Sequence, residues 1–120
     1  MKRMLALLLT VTVLMALAPA TSLAADTTFT LMVYMCGTDL ESDGGLATAD
    51  LNEMIASKIP AHGNLIVYVQ TGGTRTWSNS VMTNKIGERW TLDKDGLTQV
   101  DSLGKVDMGK GETFQQFLQY

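Results

Sequence analysis

Two apolar runs on either side of a helical segment constrain the fold of this 120-residue chain more than any other feature. The run from Phe29 to Cys36 is apolar at nearly every position, which is typical of a strand buried on both faces inside a parallel sheet. After Gly37, a polar loop from Thr38 to Gly45 leads into a segment with helical spacing that stops before Pro60. A second apolar run, Leu65 to Val69, completes a strand, helix and strand unit, whose two strands are predicted to be parallel neighbours. The apolar positions of the helical segment are Ala47, Leu51, Met54 and Ile55.

A hairpin is predicted downstream of the second run. Glu88 to Leu92 and Leu97 to Val100 flank the segment Asp93 to Gly96, which ends in an Asp-Gly pair. This pair supplies the backbone freedom that a tight antiparallel turn requires. We therefore expect an α/β fold with a mostly parallel sheet, flanking helices and a β-hairpin on the flank of the sheet.

The last predicted element is a short helix that begins at Glu112. Phe114, Phe117 and Leu118 lie on one face of it, and no Gly or Pro terminator follows before Tyr120. A helix in an alternating α/β layout should return to a third parallel strand. The pattern therefore predicts that the domain is incomplete at its C-terminus.

The first 24 residues have the composition of a secretory signal peptide. Lys2 and Arg3 precede an apolar run, and a small-residue tail ends at Ala24. Pro19 and Thr21 interrupt the apolar run before it reaches the roughly 20 residues that a membrane-spanning helix needs. We expect cleavage after residue 24, a secreted or extracytoplasmic domain of residues 25–120, and no stable membrane anchor afterwards.

Charge and cysteine content narrow the possible functions. The chain has nine basic and twelve acidic residues. Removal of Lys2 and Arg3 with the signal peptide leaves seven basic residues and a net charge of about −5. A nucleic-acid partner is therefore not expected. A single cysteine, Cys36, cannot form an intramolecular disulfide, so burial of an ordinary core must stabilise the domain.

Cys36 and His62 are a possible nucleophile and base, but the predicted topology separates them. Cys36 ends the first strand and His62 precedes the second, so a parallel pair places them at opposite edges of the sheet. Strands of this length imply a separation of about 15 to 20 Å, whereas proton transfer needs roughly 3 Å. The sequence therefore predicts a small buried thiol at Cys36 and a solvated turn residue at His62, and no catalytic residue.

The acidic segment from Asp39 to Asp50 partly matches a calcium-binding loop. Its carboxylates stand at loop positions one, three, five and twelve, with Gly44 at position six. A strand precedes the loop where the calcium motif has a helix, and Asp50 stands where a bidentate Glu is usual. The other interpretation is that Asp43 and its neighbours place negative charge at the N-terminal end of the following helix. Calcium is a possible ligand, and no other cofactor is expected.

Two loops mark the expected ligand crevice. Gly37 to Asp39 follows the first predicted strand, and Gln70 to Arg75 follows the second. The latter loop lacks both the spaced glycines and the Lys-Ser/Thr pair of a nucleotide-binding loop. Open α/β sheets bind ligands beyond the carboxyl ends of parallel strands, although a plain connecting loop is an equal alternative. The predicted substrate-binding residues are Gly37, Thr38, Asp39, Thr71 and Gly72.

Several blocks in the same order resemble the N-terminal region of clostripain-family cysteine peptidases. They are Leu31 to Ser42, Ala47 to Met54, Gln70 to Gly73 and the pair Arg89-Trp90. The similarity runs from about Thr30 to Tyr120. The resemblance implies a caspase-like α/β fold and an exported endopeptidase that cleaves polypeptides after basic residues with a Cys-His dyad.

The resemblance assigns no catalytic residue to this chain. In the family, the catalytic His lies in a His-Gly motif after a third strand and the Cys follows a fourth, both downstream of the stretch that matches Gly111 to Tyr120. His62-Gly63 precedes the second predicted strand, and Cys36 belongs to the first. The chain by itself should therefore be inactive. The alternative is an exported non-catalytic module that binds peptide or calcium through the loop from Asp39 to Asp50.

Overall fold

The computed structural model describes residues 28–59 and 64–120. The predicted signal peptide and His62 lie outside the described residues. Within the described ranges, no helix is long and apolar enough to cross a membrane. The elements in chain order are β1 (Phe29–Cys36), α1 (Thr38–Gly44), α2 (Leu46–Ala56), β2 (Leu65–Gly72), β3 (Gly87–Asp93), β4 (Gly96–Gly104) and α3 (Gly111–Leu118).

The four strands form one mixed sheet in the order β1-β2-β3-β4. β1 and β2 are parallel, whereas β2 with β3 and β3 with β4 are antiparallel. The parallel pair and the hairpin are confirmed. The sheet is mixed and not mostly parallel, because the hairpin continues directly from the edge of β2.

β1 is an edge strand, and the prediction that it is buried on both faces is wrong. It pairs with β2 on one side, and no strand of the described chain lies on its other side. Phe29 is 63% exposed and Leu31 is 48% exposed. An apolar run indicates that a strand can be buried, but it specifies neither what covers its two faces nor how many strands flank it.

Helix α1 replaces the predicted polar loop. The Glu41 amide donates to the Gly37 carbonyl at 2.9 Å, and the Gly45 amide donates to the Glu41 carbonyl at 2.8 Å. Gly45 adopts φ 66°, a left-handed conformation that favours glycine, and it both ends α1 and precedes α2. The predicted helix from residue 47 is confirmed as α2.

The hydrophobic core lies on the face of the sheet that α2 covers. Ala47 and Leu51 from α2 are buried against the sheet, as their helical spacing predicted, while Met54 and Ile55 are only partly buried. Trp77 and Met82 from the segment between β2 and β3 complete this layer. The buried strand residues of the cluster are Val67, Val69, Trp90 and Leu92.

Helix α3 packs on the opposite face. Phe117 is buried, and its ring centroid lies 5.8 Å from that of Tyr34 in β1. Phe114 packs edge-on against the same Tyr34 ring at 5.1 Å and remains 45% exposed. The predicted apolar face of this helix is therefore confirmed at Phe117, whereas Leu118 is 54% exposed.

Candidate functional site

The two predicted crevice loops meet at the carboxyl edge of the parallel pair. Cys36 is the partner of Gly72 in the pairing of β1 with β2. Beyond the strands, the amide of Gly37 donates to the carbonyl of Gly72 and the amide of Thr38 donates to the carbonyl of Gly73, both at 3.0 Å. The structure therefore brings together the residues that the sequence predicted as one crevice wall.

Only two of the five predicted substrate-binding residues present side chains to the surface. Thr38 and Asp39 are exposed, while Gly37 and Gly72 are buried. Thr71 is also buried, and its hydroxyl accepts a hydrogen bond from Nε1 of Trp90 at 3.0 Å. Thr71 therefore faces the core, and its hydroxyl is not available to a ligand at the surface.

The backbone of Thr38 is held in an uncommon conformation. Its φ of 51° is left-handed, which is strained for a β-branched residue. Its carbonyl accepts hydrogen bonds from the hydroxyls of Ser42 at 2.8 Å and Thr74 at 2.9 Å. Because the Thr38 carbonyl accepts hydrogen bonds from both α1 and the segment after β2, the start of α1 and the end of β2 are held together.

Glu41 is a fully buried carboxylate that organises the same region. It accepts hydrogen bonds from the Thr48 amide at 2.8 Å, the Thr48 hydroxyl at 2.6 Å and the Ser78 amide at 2.7 Å. Burial alone would raise the pKa of the Glu41 carboxyl, but the hydrogen bonds from Ser78 and Thr48 outweigh it and lower the pKa. The carboxylate therefore joins α1, α2 and the segment after β2.

Cys36 is exposed, so the expectation of a buried thiol is wrong. It is the last residue of an edge strand, which leaves its side chain at the rim of the sheet. Partial desolvation, followed by the negative charge of Asp107, raises the pKa of the Cys36 thiol. The thiol form is therefore favoured, which is the opposite of what a nucleophilic cysteine needs.

The acidic residues of the partial calcium motif do not converge. Glu41 is turned into the core, and Asp43 forms an exposed salt bridge with Arg75 at 2.8 Å. The described residues contain no group of three or more potential ligands that could hold a metal ion. Helix α1 occupies the position where the calcium loop would lie, so the geometry gives no support to calcium binding.

A cleft of about 410 Å³ lies beside the crevice loops. The sequence alone did not predict this cleft, because the cleft forms only when the hairpin pairs with β2. Because β3 is antiparallel to β2, the start of β3 and the end of β4 lie at the same edge as the carboxyl end of β2. The lining residues are Gly73, Thr74, Asn84, Lys85, Ile86, Gly87, Lys105, Val106 and Asp107.

These features define an α/β domain with a mixed four-stranded sheet and an open carboxyl edge. No protein-family model, curated protein or solved structure matches the chain.

Proposed function

We propose that residues 25–120 form the N-terminal part of an exported clostripain-like cysteine endopeptidase that cleaves polypeptides after basic residues. In this proposal the chain supplies the first strands of a caspase-like sheet and part of the wall of the substrate crevice. The catalytic His and Cys belong to a downstream region, so residues 25–120 are inactive alone.

The observation that supports this proposal is the direct bonding between the blocks that carry the resemblance. Nε of Arg89 donates to Oε1 of Gln70 at 2.9 Å, and Nε1 of Trp90 donates to the Thr71 hydroxyl at 3.0 Å. The block that begins at Gln70 is also hydrogen-bonded to the end of the first block through Gly37. Blocks that are separate in sequence are thus adjacent in the structure, as the proposal requires.

The chemistry of Cys36 is consistent with a non-catalytic role. A cysteine peptidase needs a thiolate that is stabilised by a neighbouring positive group. The charged group that acts on Cys36 is instead the carboxylate of Asp107, which raises the pKa of the thiol after the larger effect of burial. In this proposal Cys36 is therefore not the nucleophile.

The test of this proposal begins with the reading frame after the Tyr120 codon. We expect a His-Gly pair after an apolar strand and a Cys after a further apolar strand. The full-length protein should then hydrolyse an Arg-containing peptide, lose that activity when the downstream Cys is changed to Ala, and keep it in Cys36→Ala. Activity that depends on Cys36, or a natural stop codon at this point, would contradict the proposal.

An exported non-catalytic peptide-binding module is the second candidate, and the open edge of β1 favours it. No strand among the described residues pairs with the outer side of β1, and an edge strand of this kind can accept an extended peptide as an additional strand. This alternative predicts saturable binding of an extended peptide with no cleavage on prolonged incubation. Time-resolved mass spectrometry of the peptide separates the two functions, because cleavage produces fragments and binding alone does not.

A further inference from the structure

The cleft beside the crevice loops has walls from three separate segments. Gly73 follows β2, Lys85 precedes β3, and Lys105 follows β4. The first residue of β3, Gly87, pairs with the last residue of β4, Gly104, so the two lysines flank the open end of the hairpin. The cleft volume of about 410 Å³ is within the range of pockets that hold small ligands or peptide side chains.

The charge of this cleft differs from that of the rest of the domain. Residues 25–120 carry a net charge of about −5, yet both Lys85 and Lys105 line one cleft. The salt bridges within the described part of the chain involve Arg75, Arg89 and Lys94, and neither cleft lysine takes part in one. Within residues 28–59 and 64–120, the ammonium groups of Lys85 and Lys105 form no salt bridge, and they are therefore available to an anionic group.

Asp107 is the acidic residue of the cleft. Its Oδ1 accepts a hydrogen bond from the Gly109 amide at 2.9 Å, which holds the carboxylate at the turn after β4. The carboxylate repels an anion, but Lys85 and Lys105 outnumber it, so the charged side chains that line the cleft carry one net positive charge.

We propose that this cleft binds the carboxylate of an acidic side chain in a polypeptide held at the carboxyl edge of the sheet. The identification of the ligand as a polypeptide rests on the proposed function, while the preference for a carboxylate rests on Lys85 and Lys105. Charge complementarity at an exposed cleft mainly sets partner choice and sensitivity to salt. The cleft therefore selects substrates that carry an acidic residue at some distance from the cleaved bond.

Binding is best measured by titrating ¹⁵N-labelled full-length protein, with its downstream catalytic Cys changed to Ala if one is present. The probes are a Glu-containing peptide, blocked at both termini, and the same peptide with Gln in place of Glu. We expect the Gly73 and Gly87 amide signals to shift with the Glu peptide at low salt. Lys85→Gln combined with Lys105→Gln should weaken this binding about three- to tenfold, as expected for two exposed charge pairs.

The matched control combines Lys58→Gln with Lys94→Gln, which changes the net charge equally at positions outside the cleft. Unchanged affinity in this control supports the proposal, whereas an equal loss in both double variants shows a general charge effect and overturns it. Equal affinity for the Glu and Gln peptides also overturns it. Inorganic phosphate is a third probe, and binding of phosphate without the Glu peptide would assign the cleft to small anions instead.

The test separates this inference from the proposed peptidase activity. Binding of the Glu peptide is measured without cleavage, and hydrolysis of an Arg peptide is measured independently. Hydrolysis of the Arg peptide without binding of the Glu peptide overturns the proposed carboxylate-binding cleft but not the proposed peptidase activity. Glu-peptide binding by a protein that cleaves nothing supports the cleft and contradicts the peptidase.

Discussion

Thr48 binds the carboxylate of Glu41 twice, through its amide at 2.8 Å and through its hydroxyl at 2.6 Å. The Ser78 amide completes the set of donors at 2.7 Å. Because the carboxylate is fully buried, these donors replace the water that an exposed Glu would bind. This buried charge therefore contributes to the position of α1 and of the exposed Asp39 at its start.

Glu41→Gln should lower the free energy of unfolding by about 2 kcal/mol or more. The amide has one acceptor oxygen, and its NH₂ group would face either the Thr48 amide, which donates to Oε2 of Glu41, or the Ser78 amide, which donates to Oε1. Urea denaturation monitored by tryptophan fluorescence measures the change. Asp39→Asn is the matched control, because it removes one exposed carboxylate from the same helix and should change stability by less than about 0.5 kcal/mol. Equal effects of the two variants would contradict the role of Glu41.

The free energy of unfolding should decrease at acidic pH because Glu41 becomes protonated. The folded-state pKa of Glu41 is lowered, so between that pKa and the ordinary value of about 4.3 the unfolded state binds more protons. The stabilisation is complete above the unfolded pKa and is lost as pH falls through the folded pKa. The difference in unfolding free energy between wild type and Glu41→Gln should therefore narrow below about pH 4. A constant difference from pH 7 to pH 3 would exclude this linkage.

Asp107→Asn should make the Cys36 thiol more reactive. Removing the carboxylate removes one of the two causes that raise the pKa of this thiol, so the thiolate fraction at neutral pH increases. Alkylation by iodoacetamide at pH 7.5 should accelerate roughly two- to threefold, as expected for a nearby charge at the protein surface. Asp39→Asn serves as the control and should leave the rate unchanged. A slower reaction in Asp107→Asn would contradict the inference that the Asp107 carboxylate raises the pKa of the Cys36 thiol.

Gly73→Ala should destabilise the carboxyl edge by about 1 to 2 kcal/mol. Gly73 has φ 70°, and an added Cβ would lie 2.7 Å from Sγ of Cys36 and 3.1 Å from Cβ of Met108. Adding Cys36→Ala should recover part of the loss by removing the closest atom. A double-mutant cycle of melting temperatures measures this coupling. Strictly additive effects would mean that Cys36 does not restrict this position.

Asp39→Asn tests whether the exposed acid at the start of α1 contributes to substrate preference. A crevice role predicts a selective fall in kcat/KM for an Arg peptide over a matched neutral peptide, at unchanged melting temperature. Loss of one contact between exposed charges should lower kcat/KM for the Arg peptide about two- to fivefold. This comparison requires the full-length protein. Equal losses on both peptides together with a lower melting temperature would leave Asp39 with a purely structural role.

The location of the candidate site was predictable from the sequence, but the roles of its residues were only partly so. Parallel strands place their carboxyl ends at one edge of the sheet, which correctly predicted that Gly37 lies beside Gly72. The burial of Thr71 was not predictable, since it depends on Trp90, which lies 19 residues away in the chain. The cleft with Lys85 and Lys105 also depends on long-range pairing, because the hairpin must first pack beside β2.

The sequence by itself determined the elements whose signals are local. The apolar runs of β1 and β2, the helical spacing of α2 and the Asp95-Gly96 turn each specify backbone conformation through neighbouring residues. Only the tertiary structure decided that β1 is an edge strand, that residues 38–44 form a helix, and that Glu41 is buried while Cys36 is exposed. The reason is that burial of a charge depends on donors that distant segments supply. Ser78, which is 37 residues from Glu41, is such a donor.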